Sequence, residues 1–147
     1  MLPDIYTFMC DMPIVAKARA RSTVEKSSTA TNGFSIRHYT PVKTANFEEE
    51  LALRVSRWLR MHELPIAPKV ALEVWLEFHH KRPANNKLKH KVTKPDCDNI
   101  AKSVLDALNE VLYHDDSYVT DLHVLKRFND VPKDRIKISF QYREKVD

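Results

Sequence analysis

A single glycine, Gly33, stands in the 147 residues of this chain. Glycine-rich phosphate cradles need backbone without a Cβ at several fixed positions, so neither G-x-G-x-x-G nor G-x-x-x-x-G-K-[ST] can be written here. Dinucleotide-binding and P-loop architectures are thereby excluded, and no nucleotide cofactor is expected. Any phosphate this protein handles must be held by side chains or through a metal.

The length corresponds to about one domain, and a domain of this size buries roughly 68–70% of its unfolded surface. With 43% hydrophobic and 30% charged residues, the composition is that of a globular protein in water. The N-terminal sequence MLPDIYTFMC lacks a basic leader and carries Asp4. No uncharged apolar run approaches the ~20 residues that span a bilayer, so a cytoplasmic location without membrane association is expected. Cys10 and Cys97 are the only cysteines, and neither belongs to a C-x-x-C pair. Disulfide scaffolds and structural zinc therefore lack support.

Residues 4 to 12 alternate as a first strand, and 13 to 42 form a polar, basic stretch with TATNGF as a hairpin tip. Thr44 or Asn46 can cap a helix with Glu48, Glu49 and Glu50 in its first turn and an apolar stripe of Phe47, Leu51, Val55, Trp58 and Leu59. Val70, Leu72, Val74, Leu76 and Phe78 alternate as a half-buried strand. Residues 98 to 112 read as a second helix, 117 to 128 as a strand, and 135 to 143 as a last strand. With no internal repeat, residues 1–147 are expected to form a single α+β domain, both main helices packing on a mixed β-sheet.

Charge is strongly segregated along this order. From His79 to Lys94 the chain has six Lys or Arg, three His and no acid, whereas Ser103 to Leu125 has five acids and no Lys or Arg. A second basic tract comprises Lys17, Arg19, Arg21, Lys26, Arg37 and Lys43. One such run is commonly a solvated loop. Two of them around an acidic pocket suit a polyanion drawn by the bases, with a metal at the acids to mask repulsion.

The blocks flank KPDCDNIAKSVLDAL, residues 94 to 108. Pro95 biases Lys94 toward an extended conformation, so Asp96 and Asp98 enter as an alternate-residue pair at the start of the second helix. On a helical wheel Asp98, Lys102 and Asn109 fall within about 40° of one another. Ile100, Val104, Ala107, Leu108 and Val111 lie across from them, toward the core. Asp115 and Asp116 sit in a turn ahead of the next strand, where they can converge on the first pair. Three carboxylates without a clear Cys or His partner suit a hard cation such as Mg²⁺. Lys102 can stabilise charge developing on phosphorus or orient the attacking water. The plainer reading is that D-x-D-N caps a helix, HDDS makes a turn, and Asp98 and Lys102 form a surface ion pair.

Together these residues resemble the signature of the RusA family of Holliday junction resolvases: D-x-D-N-x-x-K on a helix, then A-L-N, then D-D-x-x-V entering a strand, in residues 94 to 128. PIVAKARARST, HYTPVKTANFEEEL and the strand at 70 to 78 follow the same family's basic segment, Y-T-P turn and helix. The resemblance implies a RusA-like fold over the whole chain and a Mg²⁺-dependent homodimeric endodeoxyribonuclease, with Mn²⁺ able to substitute. Such enzymes, often encoded by phages or prophages, nick a four-way DNA junction in two symmetry-related strands during recombination and repair, leaving 5′-phosphate and 3′-hydroxyl ends. It assigns metal binding to Asp96, Asp98 and Asp116, support of the third acid to Asp115, and the catalytic lysine to Lys102. Glu110 and Tyr118 depart from the glycine and glutamine frequent there, which bears on sequence preference.

Lys17, Arg19, Arg21, Lys81, Arg82, Lys87, Lys89, Lys91 and Lys94 are candidates for DNA-backbone contacts that position without reading sequence. His79, His80, His90 and His114 read as solvated or phosphate-touching side chains. Trp58 and Trp75 read as packing residues, Trp75 facing away from the Val70 to Phe78 side. The rival functions are a nuclease preferring flaps or forks, which needs the same site, and a non-catalytic branched-DNA-binding protein whose acids only cap a helix.

Overall fold

The structure, a computed structural model, describes residues 4–18, 21–26, 34–39 and 41–144. Its elements in chain order are β1 (Tyr6–Asp11), β2 (Arg21–Lys26), β3 (Phe34–Tyr39), α1 (Val42–Met61), β4 (Leu72–His80), α2 (Cys97–Ala107), a 3₁₀ turn (Asp116–Tyr118), β5 (Val119–Phe128) and β6 (Arg135–Tyr142). Four strands form one sheet in the order β1-β6-β4-β5. Strand β4 runs parallel to β5 and antiparallel to β6, and β1 is antiparallel to β6, so the sheet is mixed. The fold is the expected α+β arrangement. Strands β2 and β3 pair as a separate antiparallel ribbon, Lys26 opposite Phe34, and the TATNGF tip falls largely outside the described residues.

Strand β4 is the centre of the sheet because its sequence alternates without interruption. Leu72, Val74, Leu76 and Phe78 are fully buried, while Glu73, Trp75, Glu77 and His79 point to the half-buried opposite face. Helix α1 lays Phe47, Leu51, Val55 and Leu59 into the same core at four-residue spacing, and α2 adds Ile100, Val104 and Ala107. Each of these Phe, Leu, Val and Ile side chains contributes roughly 1.5–3 kcal/mol on burial. Trp58 packs edge-on against Phe8 and Phe140, at 5.9 and 6.3 Å between ring centres. Trp75 lies on the opposite face and stacks on His123 at 5.3 Å. Both tryptophans pack, as read from the sequence.

Four local readings change. Helix α1 starts at Val42 behind Pro41, and neither Thr44 nor Asn46 caps it. Thr44 is 1% exposed, because it continues the Phe47 stripe one turn toward the N-terminus. Glu48 to Glu50 therefore stand beyond the first turn. Helix α2 ends at Ala107 rather than at 112. There Glu110 takes a left-handed φ of 61°, and its N–H bonds the Tyr113 carbonyl at 2.8 Å. This is the position where the resembled family often has glycine, the residue that enters that region without steric cost. The turn sends Leu112 and Tyr113 back into the core, where Tyr113 Oη donates to the Leu105 carbonyl at 2.7 Å. The strand expected from 117 begins at Val119, after the 3₁₀ turn.

The fourth change concerns His80. The alternation of β4 runs two residues further than read and carries this ring to the core side, 5% exposed, with Nε2 unpartnered. Burial first, then the charges of Lys91 and Lys126, push its pKa from the ordinary 6.5 down to about 4, against the opposing pull of Asp134. Between these values the unfolded chain binds the proton and the folded one does not. The stability associated with neutral His80 is therefore complete above pH 6.5 and is lost as the pH falls toward about 4. Thermal unfolding across this window should show a steeper fall in Tm for the parent protein than for His80→Leu; equal slopes would assign the acid sensitivity to other groups.

Candidate active site

The loop between β4 and α2 is basic in sequence, and the fold spends much of that charge on the loop itself. The Arg82 guanidinium donates to the carbonyls of Asn86 (3.3 Å) and Leu88 (2.6 Å) and lies 4.2 Å from the centre of the Phe128 ring. Lys91 Nζ donates to Thr93 Oγ1 (2.7 Å) and the Lys94 carbonyl (2.8 Å). Lys126, on β5, reaches back to the carbonyls of Thr93 (3.0 Å) and Pro95 (2.9 Å). A loop whose carbonyls cannot all find backbone partners is thus held by lysine and arginine donors. Lys91 has a lowered pKa, from burial first and then from the neighbouring Lys126 charge.

The loop delivers the chain to α2 through a cis Lys94–Pro95 peptide. Asp96 occupies the N-cap position with extended backbone (φ −75°, ψ 151°), yet its side chain makes no capping hydrogen bond. Its Oδ2 instead accepts from Lys94 Nζ at 2.7 Å, which lowers the Asp96 pKa and raises that of Lys94. Asp98, in the first turn, is exposed, where the helix dipole favours a negative charge. Among the described residues it has no hydrogen bond or ion pair. Neither acid of the D-x-D pair is therefore a side-chain cap.

Further along α2, Lys102 Nζ stands 3.0 Å from Asp106 Oδ1 and 3.9 Å from Asp116 Oδ2. Its pKa is raised by the hydrogen bond and charge of Asp106, with a further contribution from Asp116. The other oxygen of Asp106 lies 3.1 Å from Lys17 Nζ, which also contacts Glu48 Oε1 on α1 at 2.6 Å. Burial pulls the Lys17 pKa down, and the two carboxylates outweigh it and raise it. Asp116 is fixed by its backbone N–H, which donates to Asn109 Oδ1 at 3.0 Å. Asp115 caps the 3₁₀ turn, its Oδ2 accepting the Ser117 N–H at 3.0 Å, and these Ser117 contacts lower its pKa.

The predicted site residues thus fall into two groups: Asp96 with Lys94 at the start of α2, and Lys102 with Asp116 further on, where the unpredicted Asp106 joins them, Asp98 lying between the groups in sequence. Among the described residues no three His, Cys, Asp or Glu side chains gather closely enough to enclose a metal ion. The donor chemistry nevertheless fits a hard cation that takes one or two carboxylates and completes its shell with water and phosphate. Of the predicted DNA contacts, Lys17, Arg82, Lys91 and Lys94 are bonded within the chain. The side chains of Lys81, Lys87 and Lys89 are exposed and have no partner among the described residues. Arg19 lies outside the described residues, and Arg21 is described only as a backbone position of β2. His79 and His114 are half-buried and His90 is exposed.

Sequence reasoning did not single out Asp106, Glu48 or Lys126. Asp106 carried a usable signal, its position four residues after Lys102. Lys126 carried none, because its partners lie more than thirty residues away.

Residues 11–139 match the family model described as endodeoxyribonuclease RusA. The uncharacterized protein YqaN of Bacillus subtilis (strain 168) is 31% identical over 134 residues, which cover 84% of this chain and 88% of that protein. The D-x-D-N-x-x-K helix, the D-D turn that follows it and the strands β4 and β5 that flank them therefore lie inside the matched region. This chain belongs to the RusA endodeoxyribonuclease family.

Proposed function

We propose that this protein is a divalent-metal-dependent endodeoxyribonuclease that resolves four-way DNA junctions by paired symmetric nicks, acting as a homodimer in recombination and repair. The observation that carries this reading is the start of α2. Asp96 and Asp98 of the D-x-D pair are both left out of capping, and Lys102 stands one turn on beside Asp116. Acids that served only to start a helix would be expected to bond its free N–H groups. Membership of an endodeoxyribonuclease family gives the chemistry its substrate.

Asp96, Asp98 and Asp116 would hold the cation, Mg²⁺ or Mn²⁺, with Asp115 fixing the turn that presents Asp116. The bound cation supplies Lewis acidity toward the scissile phosphate and lowers the pKa of water. Asp96 is available to it because its present partner is a solvent-exposed ammonium, and such pairs are worth little in water. Lys102 places a positive charge where charge grows on the transferring phosphate. Lys81, Lys87 and Lys89 offer exposed ammonium groups to the DNA backbone, a contact that orients the duplex without reading its sequence. Two-fold symmetry in the protein would match that of the branched substrate, so that two sites cut equivalent strands.

A labelled immobile junction, a matched flap and a linear duplex, each incubated with Mg²⁺ or with EDTA, test the reading. Paired nicks in the junction are expected with Mg²⁺ alone. Asp98→Asn and Lys102→Ala should each lower the rate by about 10²–10³ while leaving junction binding in EDTA intact. Binding without nicking under any divalent metal would leave a branched-DNA-binding protein, and preferential cleavage of the flap would reassign the substrate. A Lys87→Ala, Lys89→Ala double variant should weaken binding to junctions of unrelated sequence alike and reduce the salt slope by about 2. An unchanged slope would remove these lysines from the DNA contact.

A further inference from the structure

We propose that Asp106 is a positioning residue, held by Lys17, that draws the Lys102 ammonium toward Asp116 and away from Asp98. The inference rests on the catalytic role given to Lys102 above.

Asp98, Lys102 and Asp106 follow one another at four-residue spacing, about 40° apart on an ideal helix, so Lys102 can turn to either acid. Intrinsic preference points to Asp98, since the pair with the acid N-terminal to the base is the more favourable order. The structure shows the opposite choice. Lys102 Nζ lies 3.0 Å from Asp106, and Asp98 is left without an ion pair among the described residues.

Asp106 is itself in an unfavourable place. It lies in the last turn of α2, where the dipole opposes a carboxylate, and that turn contains no basic residue of its own. Its side chain is only 20% exposed. Two ammonium groups compensate, one on each oxygen: Lys102 on Oδ1 and Lys17 on Oδ2, at 3.1 Å. Lys17 is not a mobile counter-ion. Its backbone N–H donates to the Asn99 carbonyl at 2.9 Å, Ser103 Oγ donates to the neighbouring Val15 carbonyl at 2.7 Å, and its ammonium is shared with Glu48. The segment holding Val15 and Lys17 is thereby pinned along α2, and Asp106 is fixed through the oxygen that Lys102 does not use.

The consequence for the reaction is a division of labour among carboxylates. Asp106 holds the lysine at short range, which keeps Lys102 within 3.9 Å of Asp116 and leaves Asp98 bare. Without the charge of Asp106, Lys102 is expected to fold back onto Asp98, occupying an acid needed for catalysis and vacating its place beside Asp116.

A double-mutant cycle between Asp106→Asn and Lys102→Ala tests this, with Lys17→Met as a second way of loosening Asp106. Asp106→Asn should lower kcat on the junction about 10-fold with KM unchanged, and should add less than about 2-fold in the Lys102→Ala background. Lys17→Met should cost about 3-fold, again only when Lys102 is present. Independently of cleavage, the Lys102 side-chain ¹⁵N ammonium resonance should shift in Asp106→Asn protein without metal or DNA. Multiplying losses in the double variant, or an unmoved Lys102 resonance, would overturn the proposal. A parent protein that cuts no branched DNA would overturn the function instead, and the resonance would still decide the geometry.

Discussion

Parallel pairing of β4 with β5 is the constraint from which the rest of the structure follows. Parallel neighbours cannot be joined by a tight turn, so the chain must leave the end of β4, cross the sheet and re-enter at the start of β5. That crossing is residues 81–118, and it holds the basic loop, α2 and the turn bearing Asp115 and Asp116. Strand β6 then inserts antiparallel on the other side of β4, and β1 closes that edge. All the acids of the candidate site therefore belong to one connection, whose two ends are fixed by adjacent strands.

Packing sets the rotation of α2 within that connection. Ile100, Val104 and Ala107 are buried with Ala101 and Ser103, and Ser103 Oγ is further tied to the carbonyls of Ile100 and Val15. With this side committed to the core, Asp98, Lys102 and Asp106 must follow one another along the remaining surface. A turn of the helix by one residue, about 100°, would bury one of these charges, at a cost that no neighbouring ion pair offsets. The apolar side thus acts on function indirectly, by specifying which side chains share a ridge.

Much of this was legible because periodicity records what each residue faces. The alternation in β4, the four-residue stripe of α1 and the apolar side of α2 each name the buried surface, and the D-x-D-N-x-x-K spacing marks the ridge opposite. Endings were less legible. Helix α2 stops just ahead of Glu110, whose left-handed φ an ordinary glutamate does not announce, and α1 starts at Val42, directly behind Pro41, with Thr44 drawn into the core rather than capping it. Partners were least legible. Nothing local distinguishes Arg82 and Lys91, whose donors are taken up by loop carbonyls, from Lys87 and Lys89, which remain exposed.

That last distinction changes how a basic loop should be understood. Counting cations from the sequence treats every lysine as equally available to a phosphate, but a loop dense in unpaired carbonyls competes for the same donors. Here Lys91 and Lys126 converge on the carbonyls of Thr93, Lys94 and Pro95, immediately ahead of Asp96. Their first effect is on the shape of the chain entering α2. Removing either charge would alter DNA attraction modestly, since Lys81, Lys87 and Lys89 remain, but would release the segment that presents Asp96. The basic tract therefore has two parts with different physics: an exposed part that can meet a polyanion through solvent, and a bonded part that shapes the backbone leading into Asp96.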